Sequence, residues 1–192
     1  MKELLFFSHN QNKIIEINKI FKSNKIKIQN LNFFQKIKDI AETGKSFSEN
    51  AKIKSKYGQK IFKMPCFADD SGFCIEALNK KPGVKSKRFL ERFSSNKDAF
   101  NHIISSVIKK NNDKAFFITA ISLSLKTNHH ITFLGKINGR VSLKPLGNNG
   151  FGYDPIFIPE NYEKTFAEMS QDEKNKISHR KLAITKLKSF LF

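Results

Sequence analysis

Short apolar segments of strand type alternate with segments of helical periodicity, and this alternation limits the fold more than any other feature of the chain. The chain opens with a strand candidate from Glu3 to Phe7, and a polar stretch follows it. Ile14, Ile17 and Phe21 then recur at helical spacing, and residues 26–31 have the pattern of a second strand. This order of elements is typical of α/β proteins.

The alternation continues through the rest of the chain. Ser46 and Glu49 form a capping-box pattern that predicts a helix running to about Phe62, and Asn96 is the candidate N-cap of a later helix. The predicted core contacts of the first helix include Phe47, Ala51 and Ile61. Further strand patterns lie at 115–125, 131–137 and 155–159. We therefore expect a mixed α/β fold in which residues 1–192 form one domain.

The C-terminal segment carries two cap signals, Ser170 with Glu173 and then Ser178. In one unbroken helix, Lys174 and His179 would point about 140° apart, because the helical period is 3.6 residues. A break near Ser178 would instead let the two side chains converge.

The chain is strongly basic, with 35 Lys and Arg against 17 Asp and Glu and a net charge of +18. Such a charge attracts polyanions, so nucleic acid or nucleotide binding must be considered. Lysines occur in nearly every segment, however, and this favours a compositional bias over a basic patch on one face. We therefore expect no specific nucleic-acid binding.

Cysteine usage and the N-terminus indicate the compartment. Cys66 and Cys74 form no metal-type CxxC pair, which fits a reducing environment, and both are expected to be small core residues. The apolar run from Leu4 to Phe7 is too short for a signal-peptide core or a membrane span. These features predict a cytoplasmic protein without a membrane partner.

Three polar, glycine-bearing clusters interrupt apolar segments, where charge adds nothing to a packed core. They are residues 42–44 with Glu49 and Asn50, residues 68–72, and residues 150–155. We interpret them as candidate parts of a functional site.

Asp69 and Asp70 are adjacent in a predicted polar corner between two short strands. Adjacent carboxylates repel each other unless a cation offsets their charge, and the preference of Mg²⁺ for hard oxygen ligands suits them. Glu42 is a possible third carboxylate. Alone, the Asp-Asp-Ser-Gly run is equally consistent with an ordinary turn. Lys13, Lys54 and Lys174, in or beside predicted helix starts, shift the balance towards phosphate binding.

Two competing nucleotide motifs fail on spacing. Gly44-Lys45-Ser46 resembles the end of a P-loop, but that pattern requires a glycine where this chain has Asp39. The GFG triplet at 150–152 lacks the spacing of a dinucleotide-binding fingerprint and precedes a strand-like segment.

A longer series of motifs runs through the whole chain in order. The segments are SHNQNK after the first strand, ETGKSFSENAKIK, FADDSGF, PGVKSKRF, GFGYDPIF and KTFAEMSQDEKNKISHRKLA. Together they closely resemble the inosine triphosphate pyrophosphatase family, which includes the bacterial dITP/XTP pyrophosphatases. The resemblance implies an elongated mixed β-sheet with flanking helices, in which two lobes surround a nucleotide-binding cleft.

The resemblance also implies an activity and partners. The implied reaction is Mg²⁺-dependent hydrolysis of the non-standard purine nucleoside triphosphates ITP, dITP and XTP to the monophosphate and pyrophosphate. This reaction keeps such nucleotides out of nucleic acid. The implied assembly is a homodimer.

Roles for individual residues follow from the same resemblance. Glu42 and Asp70 resemble metal ligands, Asp70 also resembles the proton acceptor, and Lys54 resembles a phosphate contact. The implied nucleotide-binding loop is Ser8, His9, Asn10, Gln11, Asn12 and Lys13. The implied substrate contacts are Ser71, Phe151, Gly152, Tyr153, Asp154, Lys174, His179 and Arg180.

The resemblance also implies how the purine base is recognised. Phe151 and Tyr153 would stack on the base or wall it, and the turn from Ser178 to Arg180 would donate hydrogen bonds to a 6-keto oxygen. A 6-amino purine would leave those donors unpaired. Two other hypotheses remain: a nucleic-acid-binding module, and a related pyrophosphatase that acts on a modified pyrimidine.

Overall fold

The computed structural model describes residues 3–21, 26–34, 37, 40–126 and 129–192. The strands are β1 Glu3–Phe6, β2 Lys27–Asn30, β3 Cys66–Ile75, β4 Lys81–Pro82, β5 Lys114–Lys126, β6 His129–Val141 and β7 Phe157–Pro159. The α-helices are α1 Gln11–Phe21, α2 Phe47–Phe62, α3 Ser86–Leu90, α4 Asn96–Lys110, α5 Gln171–Ile177 and α6 His179–Leu191. Across these ranges, no helix combines the length and apolar character that crossing a membrane requires.

The strands form one mixed sheet in the order β2-β1-β3-β5-β6-β7, and β4 pairs with β3. β1 is parallel to both β2 and β3, with Leu5 opposite Cys66 and Phe6 opposite Phe67. β4 is antiparallel to β3, and β7 is antiparallel to β6. The predicted fold class, a mixed sheet with flanking helices, is confirmed.

The chain folds into two compact units. Unit 1 takes its residues from 1–70, 119–135 and 181–192, and unit 2 comprises 71–118 and 136–180. β3, β5 and β6 each contribute residues to both units. The division along β3 falls at the peptide bond between Asp70 and Ser71, within one of the polar clusters that the sequence singles out.

The core of unit 1 covers β1 on both faces. Leu4 and Phe6 belong to one apolar cluster, whereas Leu5 and Phe7 belong to another. Because successive side chains of a strand point to opposite faces, a strand buried on both sides is a continuous apolar run. Helical residues of the first cluster include Ile14, Ile17, Ala183 and Leu187. This burial explains why the N-terminal run reads as apolar without alternation.

Aromatic rings dominate the core of unit 2. Phe73 lies 4.8 Å from Phe117 between ring centroids, and Phe117 meets Phe157 edge-on, also at 4.8 Å. Offset and edge-on pairs of this kind add to the stability that burial provides. The buried face of α4 completes this core with Phe100, Ile103, Ile104 and Val107.

Two local predictions are wrong. Ser95, not Asn96, caps α4, because the Ser95 hydroxyl accepts a hydrogen bond from the backbone N–H of Asp98. Ile61 is 45% exposed and is not a core contact. The buried positions of α2 are small or polar, as at Ala51, so its apolar pattern is a poor guide to its orientation. Both cysteines are buried and free, as predicted.

Candidate active site

Five charged residues of unit 1 form what we call the carboxylate–lysine cluster: Lys13, Glu42, Lys54, Asp69 and Asp70. Asp69 and Asp70 are 1% and 4% exposed, and they lie in the middle of β3. The prediction of a polar corner between two short strands is therefore wrong. The strand continues through the two carboxylates because lysines from α1 and α2 offset their charge.

The distances within the cluster show how each carboxylate is compensated. Lys13 Nζ lies 3.0 Å from Asp69 Oδ1. Lys54 Nζ lies 2.8 Å from Glu42 Oε1 and 3.9 Å from Asp70 Oδ1. Lys54 is in the middle of α2, so its predicted place beside a helix start is wrong. It acts through the reach of its side chain and not through the N-terminal dipole of the helix.

Burial and charge shift the acid–base properties of this cluster in opposite directions. Burial raises the pKa of Asp70 and the neighbouring Glu42 charge adds to this, while Lys54, Lys13 and a hydrogen bond from Asn50 act against it. Burial alone would lower the pKa of Lys54, but the charges of Asp69, Asp70 and Glu42 together raise it. Lys54 thus stays an ammonium ion, and Asp70 is a stronger base than an exposed aspartate.

The donor atoms of Glu42 and Asp70 fit a divalent cation. Both carboxylates lie within 4.0 Å of one ammonium nitrogen, that of Lys54, so a positive charge is already stabilised beside them. Carboxylate oxygens are the protein ligands that Mg²⁺ prefers, and Mg²⁺ usually takes only one or two of them, with water and phosphate oxygens as its other ligands. Among the described residues, no group of three or more His, Cys, Asp or Glu forms a fuller ligand set.

The predicted nucleotide-binding loop is only partly a loop. Ser8 and Asn10 follow β1, and their side chains accept hydrogen bonds from the backbone N–H groups of Asn10 and Lys13, respectively. Gln11 and Asn12 already belong to the first turn of α1. The exposed residues of the stretch are His9, Asn10, Gln11 and Asn12. Lys13, near this helix N-terminus, is placed as the sequence predicted.

Unit 2 holds a second group of predicted site residues around Lys174. This side chain is 2% exposed, and its Nζ donates a hydrogen bond to Asp154 Oδ2 at 2.6 Å. Asp154 also accepts a hydrogen bond from the backbone N–H of Phe151 at 2.8 Å. The Lys174 ammonium lies 4.7 Å from the centre of the Phe151 ring, within cation–π range. Asp154 therefore fixes both the glycine-rich loop and the lysine.

The C-terminal helical segment is interrupted at Ser178, where α5 ends and α6 begins. The helix break that the sequence offered as an alternative to one continuous helix is therefore confirmed. His179 stacks on Phe117 with centroids 4.8 Å apart, and Lys174 lies over Phe166, whose ring is 6.0 Å from that of Phe117. The break thus brings Lys174 and His179 to one aromatic group.

Arg180 and Tyr153 are two further predicted substrate contacts with buried side chains. Arg180 is 2% exposed and its guanidinium donates a hydrogen bond to Ser71 Oγ at 3.2 Å. Tyr153 is 4% exposed, and its hydroxyl donates to the backbone carbonyl of Ser86 at 2.8 Å. Phe151 and Gly152 are half-buried. Of the two predicted base contacts, Phe151 keeps more exposed surface, while Tyr153 supports the loop from the core.

Asn50 has no predicted role, although it lies in one of the three polar clusters of the sequence. The structure places its side chain against Asp70 and against the segment that carries Glu42. Its position in the first turn of a helix that begins beside that segment is the signal that could have identified it.

A surface pocket of about 530 Å³ in unit 2 is lined by none of the predicted site residues. Its charged lining is balanced between Lys114, Lys136, Arg140, Glu76, Asp113 and Glu160. The pocket therefore gives no electrostatic preference for a phosphate and is not part of the candidate site.

Comparison with known proteins gives the relationship of the chain. Two curated relatives are dITP/XTP pyrophosphatases: that of Borrelia duttonii is 43% identical over 199 residues, and that of Porphyromonas gingivalis is 40% identical over 195 residues. Each alignment covers 100% of this chain and 98% of the relative.

Solved structures agree with these relatives. A HAM1 protein from Coxiella burnetii superimposes with a TM-score of 0.89 at 34% identity, covering 100% of this chain and 98% of that one. The Ham1 protein of Staphylococcus aureus gives 0.87 at 34% identity, with 99% and 98% covered. Residues 4–190 match the model of the Ham1 family. The chain therefore belongs to the Ham1 family.

Proposed function

We propose that this chain hydrolyses the non-standard purine triphosphates ITP, dITP and XTP to the monophosphate and pyrophosphate, with Mg²⁺ as cofactor. The observation that carries the proposal is the pair of carboxylates, Glu42 and Asp70, that share the Lys54 ammonium ion in unit 1. Full-length relatives that are dITP/XTP pyrophosphatases support the choice of substrate. The reaction would keep these nucleotides out of nucleic acid.

The carboxylate–lysine cluster suits an in-line attack of water on the α-phosphorus. When bound by Glu42 and Asp70, Mg²⁺ would supply Lewis-acid stabilisation of charge on the phosphate oxygens. Asp70, whose pKa is raised by burial, would orient the attacking water and accept its proton. Lys13 and Lys54 would neutralise negative charge on the triphosphate and on the departing pyrophosphate.

The unit 2 residues supply the chemistry for base selection. Phe151 offers a ring face for stacking, and the segment from Ser178 to Arg180 is buried and rich in donors. A 6-keto purine accepts hydrogen bonds, whereas the 6-amino group of adenine donates them and would leave buried donors unpaired. Such a mismatch discriminates strongly between substrates.

The assembly and location remain part of the proposal. We propose a homodimer in the cytoplasm, with residues 1–192 acting as a single cooperative domain. The resemblance of the motifs supports the dimer, and the buried free thiols of Cys66 and Cys74 are consistent with a reducing compartment.

The test is pyrophosphate release by purified protein from ITP, XTP, ATP, GTP and dTTP, each with Mg²⁺ and with EDTA. Fast release from ITP and XTP that EDTA abolishes is the expected result. Release from dTTP in preference to the purines would replace the substrate class with pyrimidines. No release from any nucleotide would contradict the proposal and favour a binding module.

A further inference from the structure

We propose that Asn50 is a positioning residue, which holds Asp70 and the Glu42 segment in the arrangement that a divalent cation requires. The inference rests on the proposed function for its biological meaning, but its structural basis is independent of the substrate. Its proposed role involves no contact with substrate or metal, because Asn50 acts only through Asp70 and the Glu42 segment.

Both ends of the Asn50 side chain are used, and each binds a different part of the chain. Nδ2 donates a hydrogen bond to Asp70 Oδ2 at 3.0 Å, and Oδ1 accepts one from the backbone N–H of Gly44 at 2.8 Å. Only one orientation of the amide satisfies both contacts, because a carboxylate accepts and a backbone N–H donates. The amide therefore connects β3 to the segment before α2 with a defined polarity.

The first contact determines how the Asp70 carboxylate is turned. Its Oδ2 atom accepts from Asn50, while its Oδ1 atom lies 3.9 Å from Lys54 Nζ. With an amide on one oxygen and an ammonium on the other, the carboxylate has little freedom to rotate. A base that must orient a water molecule gains from such a constraint, because small errors in position slow the reaction strongly.

The second contact restricts the segment that carries Glu42. Gly44 is two residues from Glu42, and a Cβ atom at this position would lie 2.6 Å from Asn50 Oδ1 and 2.7 Å from Glu49 Cβ. A glycine is therefore needed for the segment to come this close to α2. The carboxylate of Glu49 adds a second tether by accepting from the backbone N–H of Lys45 at 2.6 Å.

Because the Asn50 amide is buried, the loss of either of its hydrogen bonds would be unfavourable. Asn50 is 1% exposed, and a buried amide is unfavourable unless its donor and acceptor are both paired. A leucine at this position would fill a similar volume but would provide neither hydrogen bond. Residues that orient metal ligands typically change metal affinity or activity by about 10- to 100-fold when they are removed.

Two variants test the proposal from opposite sides of the contact. Asn50→Leu removes the amide, and Gly44→Ala leaves the amide in place but pushes the Glu42 segment away from it. The control is Ser55→Ala in the same helix. The Ser55 hydroxyl is buried and forms hydrogen bonds with Ser122 and Ser124, so its loss loosens the packing of α2 without touching the Asn50 amide.

The primary measurement is the binding of Mn²⁺ alone, which is monitored as the loss of the electron paramagnetic resonance signal of the free ion. Only variants whose circular dichroism spectrum matches that of the wild type are compared. We expect Asn50→Leu and Gly44→Ala to weaken Mn²⁺ binding about 10- to 100-fold, with Ser55→Ala within about twofold of the wild type. If Asn50→Leu does not fold, Gly44→Ala at a half-buried position decides the question.

Kinetics with ITP give a second measurement and separate the two proposals. The Mg²⁺ concentration for half-maximal rate should rise in both test variants, while KM for ITP at saturating Mg²⁺ changes little. Wild-type Mn²⁺ binding and Mg²⁺ dependence in folded Asn50→Leu, or no Mn²⁺ binding by the wild type, would overturn the inference. Asn50-dependent Mn²⁺ binding without any pyrophosphate release would support it and contradict the proposed function alone.

Discussion

At the scale of single residues, the candidate site depends on buried charges that compensate one another. Asp69 pairs with Lys13, and Lys174 pairs with Asp154, with less than a fifth of any of these side chains exposed. A buried pair of this kind is rarely a large net source of stability, but the loss of one partner leaves an uncompensated charge in the interior. Substituting one member of either pair is therefore expected to destabilise the fold.

The Lys174–Asp154 pair allows this destabilisation to be measured. Lys174→Met should lower the free energy of unfolding by about 3–5 kcal/mol, because the buried Asp154 carboxylate loses the ammonium charge that compensates it and keeps the hydrogen bond from Phe151. Adding Asp154→Asn should recover part of that loss. Urea denaturation of the two single variants and the double variant measures both effects.

The exposed pair of Lys87 and Glu91 provides the control. Lys87→Met should leave the unfolding midpoint nearly unchanged, because exposed ion pairs contribute little. Equal losses for Lys87→Met and Lys174→Met would show that the buried pair is not structurally important.

Asp70→Asn should separate activity from stability. We expect kcat for ITP to fall by about 10²- to 10⁴-fold, because the variant cannot accept a proton. Burial raises the pKa of Asp70, which means that the ionised carboxylate opposes folding, so the neutral amide should not lower the melting temperature. Pyrophosphate assays and thermal melts on the same preparation check both statements. Wild-type turnover by the folded variant would remove Asp70 from the catalytic role.

At the scale of secondary-structure elements, capping links helix stability to the placement of site residues. Ser170 and Glu173 form a reciprocal capping box at the start of α5, the short helix that carries Lys174. Ser95 caps α4 through the backbone N–H of Asp98, and α4 carries no predicted site residue. The two serines therefore form a natural pair for comparison.

Ser170→Ala and Ser95→Ala should each lower the free energy of unfolding by about 1 kcal/mol, because each removes a serine N-cap. Only Ser170→Ala should also raise KM for ITP, since α5 presents Lys174. Parallel denaturation and steady-state kinetics measure the two quantities. A rise in KM of the same size in both variants would mean that α5 has no special part in substrate binding.

The order of the elements could be predicted from local pattern, because apolar periodicity reports burial directly. The continuity of β3 could not, because it depends on partners far away in sequence, such as Lys13, which is 56 positions from Asp69. The mid-helix position of Lys54 was missed for a similar reason. A long side chain can reach a carboxylate from a place that no local motif marks.

Residue chemistry alone could indicate the carboxylates and lysines of the candidate site, whereas its other residues could be proposed only through the resemblance of their motifs. The hydrogen bonds that hold these residues in place could not be predicted from the motifs. The Tyr153 hydroxyl donates to a carbonyl 67 positions away, at Ser86, and Asn50 bridges two segments through one amide. Such contacts follow from the fold as a whole, so their physical roles become visible only in the structure.

At the scale of the whole molecule, each unit has its own apolar core and its own group of predicted site residues. Basic residues outnumber acidic residues in the sequence of both units, so the net charge of +18 is not concentrated in one of them. This distribution fits a compositional bias. The acidic residues of the carboxylate–lysine cluster are thus the distinctive electrostatic feature of unit 1.

In the proposed reaction, water attacks the α-phosphorus of a non-standard purine triphosphate. Hydrolysis of ITP with Mg²⁺ in ¹⁸O-labelled water, with mass spectrometry of the products, shows which phosphorus atom the water attacks. Attack at the α-phosphorus should give one labelled oxygen in inosine monophosphate, unlabelled pyrophosphate and no inorganic phosphate. Label in pyrophosphate, or the formation of inosine diphosphate with inorganic phosphate, would contradict it.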